Sequence, residues 1–99
     1  MAQKRIRPMH PGEYLRDELE ARKISLNQLA RDTRLPLSRV SAIANGKRSV
    51  TGDTALRLGH YFGMAPSIWM GFQADYDLQV AMVNAAKIKR EVIPAPVAA

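Results

Sequence analysis

Two short amphipathic segments joined by about three residues constrain this chain more than any other feature. The first opens on Ser25-Leu26-Asn27-Gln28. This is a capping box, in which the Ser25 hydroxyl accepts from the amide three residues on and Gln28 reaches back. It predicts a helix to about Asp32, with Leu26, Leu29 and Ala30 on its inner face. Thr33-Arg34-Leu35 makes the connection, and Leu35-Pro36 favours an extended residue before a new helix start. The second segment predicts a helix from about Leu37 to Asn45, stopped by Asn45-Gly46. At about 100° per residue, Val40, Ile43 and Ala44 point inward. Ser38, Ser41, Ala42 and Asn45 then share the opposite face, with Arg39 on its flank. Leu29, Leu35, Val40 and Ile43 are placed to clamp the two helices nearly perpendicular, and Ala30 is small where the second crosses it. That arrangement is a helix-turn-helix.

The remaining segments are helical too. Pro11 suits a first helical turn, Glu13 favours its positive dipole end, and Leu15 and Leu19 share a stripe, so a first helix is expected from about Pro11 to Arg22. Thr51 caps a fourth helix that ends at Phe62 before Gly63, with Ala55, Leu58 and Phe62 inward. Pro66-Ser67 starts a fifth, expected to reach about Val83 or Ala86. No strand-like alternation or internal repeat is present. The expected fold is therefore all-α. It has a flexible basic arm at residues 1–9, a helix-turn-helix domain at 10–86 ending in a dimerisation helix, and a basic, Pro/Ala-rich tail at 87–99. At 99 residues one domain is the expectation. No apolar run approaches the ~18–20 residues of a membrane span. The basic N-terminus lacks the apolar stretch of a signal peptide.

Charge is unevenly placed. The formal net charge is +6, and residues 22–48 already carry seven Lys/Arg against the lone Asp32. Residues 49–86 carry one Arg against three Asp. Such asymmetry suits a phosphate backbone or an acidic partner, and a merely solvated basic face is the plain alternative. Set around a helix-turn-helix, it favours double-stranded DNA. Arg39 could bridge guanine O6 and N7, and Ser38 could meet base or phosphate. Leu37 and Ala42 offer apolar contact, for instance to a thymine methyl. Ser41 and Asn45 lie on the same face. Ser25, Asn27, Lys47 and Arg48 flank the helix and are placed to hold phosphates. Simple capping competes for Ser25, and helix termination competes for Asn45. So small a reading face calls for two half-sites.

The fifth helix carries two apolar stripes. Trp69, Phe72, Tyr76, Val80 and Val83 cluster within about 80°, and Met70, Ala74, Leu78 and Ala81 lie opposite. One stripe can enter the chain's own core, and the other needs a second chain. Met70, Ala74, Leu78, Ala81 and Trp69 are the expected homodimer interface, although projection alone leaves open which stripe faces inward. A symmetric dimer would present two recognition helices to a palindromic site, one DNA turn apart.

Short motifs along the chain form a recognisable series. It comprises His10-Pro11-Gly12-Glu13 with Leu15, Ser25 with Leu29-Ala30, Asn45-Gly46-Lys47-Arg48, and Thr51 with Asp53-Thr54-Ala55-Leu56-Arg57-Leu58. It continues with Tyr61-Phe62-Gly63, Pro66 with Trp69, and Gln73-Ala74 with Tyr76-Asp77-Leu78. Over roughly residues 10–81 the chain resembles the HigA family of antitoxins, within the XRE-type helix-turn-helix repressors. The resemblance implies a five-helix, lambda-repressor-like fold in a cytoplasmic bacterial protein that sits on the nucleoid when bound to its operator. It also implies a dimer that represses its own operon and neutralises a HigB-like toxin that cleaves mRNA. Base contacts would come from Leu37, Ser38, Arg39 and Ala42. Arg34 stands where such proteins often place a turn glycine, and Leu26 replaces a commonly polar residue. A stand-alone XRE-type regulator without a toxin is the neighbouring possibility.

Other classes have less behind them. Cysteine is absent, which excludes disulfides, Cys-based zinc sites and a thiol nucleophile. His10 and His60 have no metal-ligand spacing and there is no glycine-rich phosphate loop, so no enzyme, cofactor, metal or catalytic residue is expected. His10 is expected to cap the first helix and His60 to sit partly exposed on the fourth. A pure protein-interaction module would use the same basic face for an acidic partner.

Overall fold

The computed structural model describes residues 7–97. Five helices build the body: α1 (Pro11–Arg22), α2 (Leu26–Thr33), α3 (Leu37–Ala44), α4 (Gly52–Phe62) and α5 (Pro66–Ala81). A single 3₁₀ turn (Met82–Asn84) and a short α6 (Ala85–Glu91) follow. Of the expected arm, residues 1–6 lie outside the described residues. Arg7 lies within them, and its guanidinium makes a two-point pair with the Glu13 carboxylate at 2.6 and 2.9 Å.

Local chemistry accounts for the helix starts. The His10 imidazole, not a hydroxyl, caps α1, its Nδ1 accepting from the Gly12 amide at 2.8 Å. Ser25 Oγ accepts from Gln28 N at 3.1 Å, and Thr51 Oγ1 caps α4 through Thr54 N. Only the Ser25 half of the capping box forms; no Gln28 side-chain bond back to Ser25 is present among the described residues. Helix ends follow one pattern. Lys23, Arg34, Gly46 and Gly63 all have positive φ, near 57°, 60°, 76° and 71°. At all four of these ends the next amide reaches back to the final turn, as in Leu35 N to Ala30 O and Lys47 N to Ala42 O. Arg34 thus adopts the left-handed conformation that glycine takes without a Cβ penalty.

The core lies among α1–α4 and the first half of α5. Leu15, Leu29, Val40, Ile43, Leu58 and Trp69 are almost wholly enclosed, and Leu35, Ala30 and Phe62 close it. The four residues expected to clamp α2 on α3 are all buried here. Gly12 lets α1 meet α3 backbone to backbone. A Cβ at Gly12 would stand 2.0 Å from the Ile43 carbonyl oxygen and 2.9 Å from that of Ala44.

Two expectations need correction. Trp69 belongs to the core of its own chain: it is 0% exposed, packed against Phe62 and edge-on to Phe72, and has no surface left for a partner. The aromatic stripe of α5 therefore faces inward. The second correction concerns residues 87–91, placed in the tail but helical in α6. Ala85-Ala86-Lys87-Ile88-Lys89-Arg90-Glu91 is a run of good helix formers, and Lys87 and Glu91 sit as an i,i+4 pair. The helix stops short of Ile93-Pro94, where the residue before proline is driven out of the helical region.

Candidate nucleic-acid interface

α3 presents its N-terminal turn outward. Leu37 is 46% exposed. Ser38 beside it is exposed and Arg39 is half-buried. The Arg39 Nε is enclosed without a hydrogen-bond partner among the described residues, so the side chain lies partly along the protein surface. Ser41 and Ala42 are half-buried one turn further on. Ser25 and Asn27, at the start of α2, are exposed, as are Lys47 and Arg48 after α3. The candidate residues are therefore exposed or half-buried at the first turn of α2, along α3 and in the loop after α3.

Two candidates are engaged within the chain. Ser25 Oγ is a cap. Asn45 ends α3 with φ −92° and ψ 6°, and its Oδ1 accepts from the Arg16 guanidinium. The same Arg16 donates through Nε to the Ala44 carbonyl at 2.8 Å.

Arg16 is one of three arginines with this role. Arg57 donates to the Thr33 carbonyl at the end of α2, at 2.9 Å. Arg22 donates to the Phe62 carbonyl at the end of α4, at 3.2 Å, and lies over the Phe62 ring. A guanidinium at a helix C-terminus satisfies orphan carbonyls and opposes the negative end of the dipole. Part of the chain's positive charge is therefore structural. Sequence reasoning counted Arg22 among the seven basic residues of the 22–48 window. Its partners place it in the scaffold.

The loop after α3 is held from below. The Val50 amide donates to Gln73 Oε1 at 2.8 Å, and Gln73 Nε2 donates to Asp77 Oδ1 at 2.9 Å. Gln73 is buried. His10 lies under the same loop, edge-on to Tyr76 with ring centroids 4.8 Å apart. Burial pushes its imidazole below the ordinary value, while the Arg48 backbone and the Glu13 and Asp77 carboxylates pull the other way. His60 is exposed on α4. Sequence reasoning assigned no role to Arg16. Gln73 had one signal, its place in the Gln73-Ala74 motif.

The second stripe of α5 is open. Met70 is 40% and Leu78 64% exposed, and Ala74 and Ala81 are exposed beside them. Beyond residue 77 the inner stripe is open as well, with Val80 and Val83 uncovered. No helix among the described residues is long and apolar enough to cross a membrane, and no group of three or more His, Asp or Glu there could hold a metal ion.

A helix-turn-helix family profile matches residues 15–69, from within α1 to the Trp69 of α5. The chain is 42% identical over 74 residues to virulence-associated protein I of Dichelobacter nodosus, covering 74% of this chain and 68% of that protein. Among solved structures it is similar to an addiction module antidote protein of a HigA family from Coxiella burnetii. That protein is 48% identical with a TM-score of 0.85, over 91% of this chain and 100% of the other. The antitoxin HigA of Pseudomonas aeruginosa, solved with the higBA promoter, is 38% identical with a TM-score of 0.84, over 91% and 100% of the two chains.

Proposed function

The chain belongs to the HigA family of helix-turn-helix antitoxins, and on that premise we propose that it is a dimeric, sequence-specific DNA-binding protein that represses its own operon. It acts in the cytoplasm, at the nucleoid when bound, and neutralises a HigB-like mRNA-cleaving toxin. The observation that carries the reading is the exposed first turn of α3. Leu37 and Ser38 stand out from the body with the half-buried Arg39 beside them, while the opposite face of the same helix, Val40, Ile43 and Ala44, is buried. A helix so placed can enter a major groove without disturbing the core. Lys47 and Arg48 flank it as phosphate contacts that set register.

The relative solved with a promoter supports DNA as the partner. The open Met70-Ala74-Leu78-Ala81 stripe supports a symmetric dimer, which would place two such helices on a palindromic operator. The test is a gel-shift titration of the region upstream of the gene at two salt concentrations. Wild-type binding should weaken steeply with salt. Arg39→Ala should lose preference for that region by about tenfold with the melting temperature held. Preference that survives Arg39→Ala would sink the assignment of α3. Co-purification with the product of an adjacent gene, with loss of that product's mRNA cleavage, tests the antitoxin role. A chain that binds its operator with no such partner would be a stand-alone regulator.

A further inference from the structure

The side chains assigned to base reading lie on α3. Pro36 gives it no side-chain cap. Its end is fixed from another helix. In the final turn, the Asn45, Gly46 and Lys47 amides occupy the carbonyls of Ser41, Ile43 and Ala42. The carbonyl of Ala44, the last helical residue, is taken by Arg16 Nε. The same guanidinium holds Asn45 Oδ1. Gly12 lies four residues before Arg16, on the same face of α1. It brings the α1 backbone against the Ile43 and Ala44 carbonyls, where a Cβ would collide. Two points one turn apart on α1, a bare backbone and a forked donor, thus grip the end of the recognition helix. A forked donor restrains rotation as well as distance, which a single ammonium does not.

We infer that Arg16 is a positioning residue for DNA recognition: it sets the angle at which α3 offers Leu37, Ser38 and Arg39, and by holding Asn45 it removes that side chain from base reading. This rests on the reading of α3 as the base-reading helix. Arg16 touches no base. It acts through α3, and Asn45 acts through Arg16.

The experiment uses the full chain and two duplexes of equal length, the upstream region and a scrambled sequence, titrated by fluorescence anisotropy at two salt concentrations. Arg16→Lys keeps the charge and loses the fork. Its preference for the upstream duplex should fall about tenfold. Affinity for the scrambled duplex, and the salt slope, should stay within about twofold, because phosphate charge sets both. Asn45→Ala, at an exposed position, should show a smaller loss of preference, and none when added to Arg16→Lys. The inference is overturned if Arg16→Lys keeps its preference, or if Asn45→Ala costs as much in the Arg16→Lys background as in the wild type. In the latter case Asn45 reads DNA itself. Wild-type protein with no preference for the upstream duplex would bring down the proposed function, and this inference with it.

Discussion

The two halves of α5 both carry apolar residues but have very different surroundings. In the first half, Trp69 is wholly enclosed, Gln73 is buried, and Phe72 stacks on Tyr14 with ring centroids 3.8 Å apart. In the second half, Leu78 and Val80 are 64% and 45% exposed, and in the 3₁₀ turn that follows Met82 and Val83 are 57% and 84% exposed. Both halves are helical, so local propensity does not separate them. What differs is whether this chain has anything to set against the stripe. The head, α1–α4 with the first half of α5, encloses Trp69 in its own core and leaves Ile68 and Met70 42% and 40% exposed. The extension leaves its apolar residues for something else, and the proposed occupant is a second copy.

Substitutions in the two halves should therefore fail in different ways. Trp69→Ala should cost about 3–5 kcal/mol and unfold or nearly unfold the head, read as a collapse of the thermal transition. Leu78→Glu should leave the helical circular dichroism in place and convert dimer to monomer in light scattering. A Leu78→Glu variant that stays dimeric would move the interface elsewhere. Gly12→Ala comes next in size. The clashing atoms are backbone carbonyl oxygens, which cannot swing aside, so a loss of about 1–3 kcal/mol is expected in urea denaturation. It would confirm that the head is assembled at backbone contact, in contrast to the extension.

His10 gives a smaller, pH-dependent effect confined to the head. Its folded-state pKa lies below the ordinary 6.5, so the unfolded chain takes up the proton first. Stability is therefore full above about 6.5 and declines as pH falls below it. The protonated ring also cannot accept from the Gly12 amide. Denaturation midpoints at pH 7.5 and 5.0 should differ, with the difference reduced in His10→Asn, whose side chain can still cap. The smallest effect has the opposite sign. Arg34→Gly should stabilise by about 0.5–1 kcal/mol, because a left-handed conformation suits glycine better than arginine.

What was legible in the sequence was mostly local. Ser25, Thr51, Pro11 and Pro66 mark helix starts, and Gly46 and Gly63 mark ends, because each acts on amides or carbonyls within a few residues. The inward faces of α2, α3 and α4 followed from periodicity. Long-range bonds did not. Arg16 and Ala44 are 28 positions apart, and Gln73 meets Val50 across 23. A polar residue paired at that distance looks in sequence like any solvated one. Trp69 was misassigned to the interface because a projection gives the angle between two stripes and not the identity of what covers either. The same limit applied to charge, since Arg22 counts as a cation in any window and only its contact with the Phe62 carbonyl reveals a structural role.

In the proposed assembly two copies of this chain, joined through the open face of α5, set two α3 helices on one palindrome. The most direct measurement is the mass of the complex with a duplex spanning the upstream palindrome, taken together with its affinity relative to a duplex cut to one half-site. Two chains per full duplex, and binding at least about tenfold weaker on the half-site, are expected. One chain per duplex, bound equally well by the half-site, would contradict that assembly.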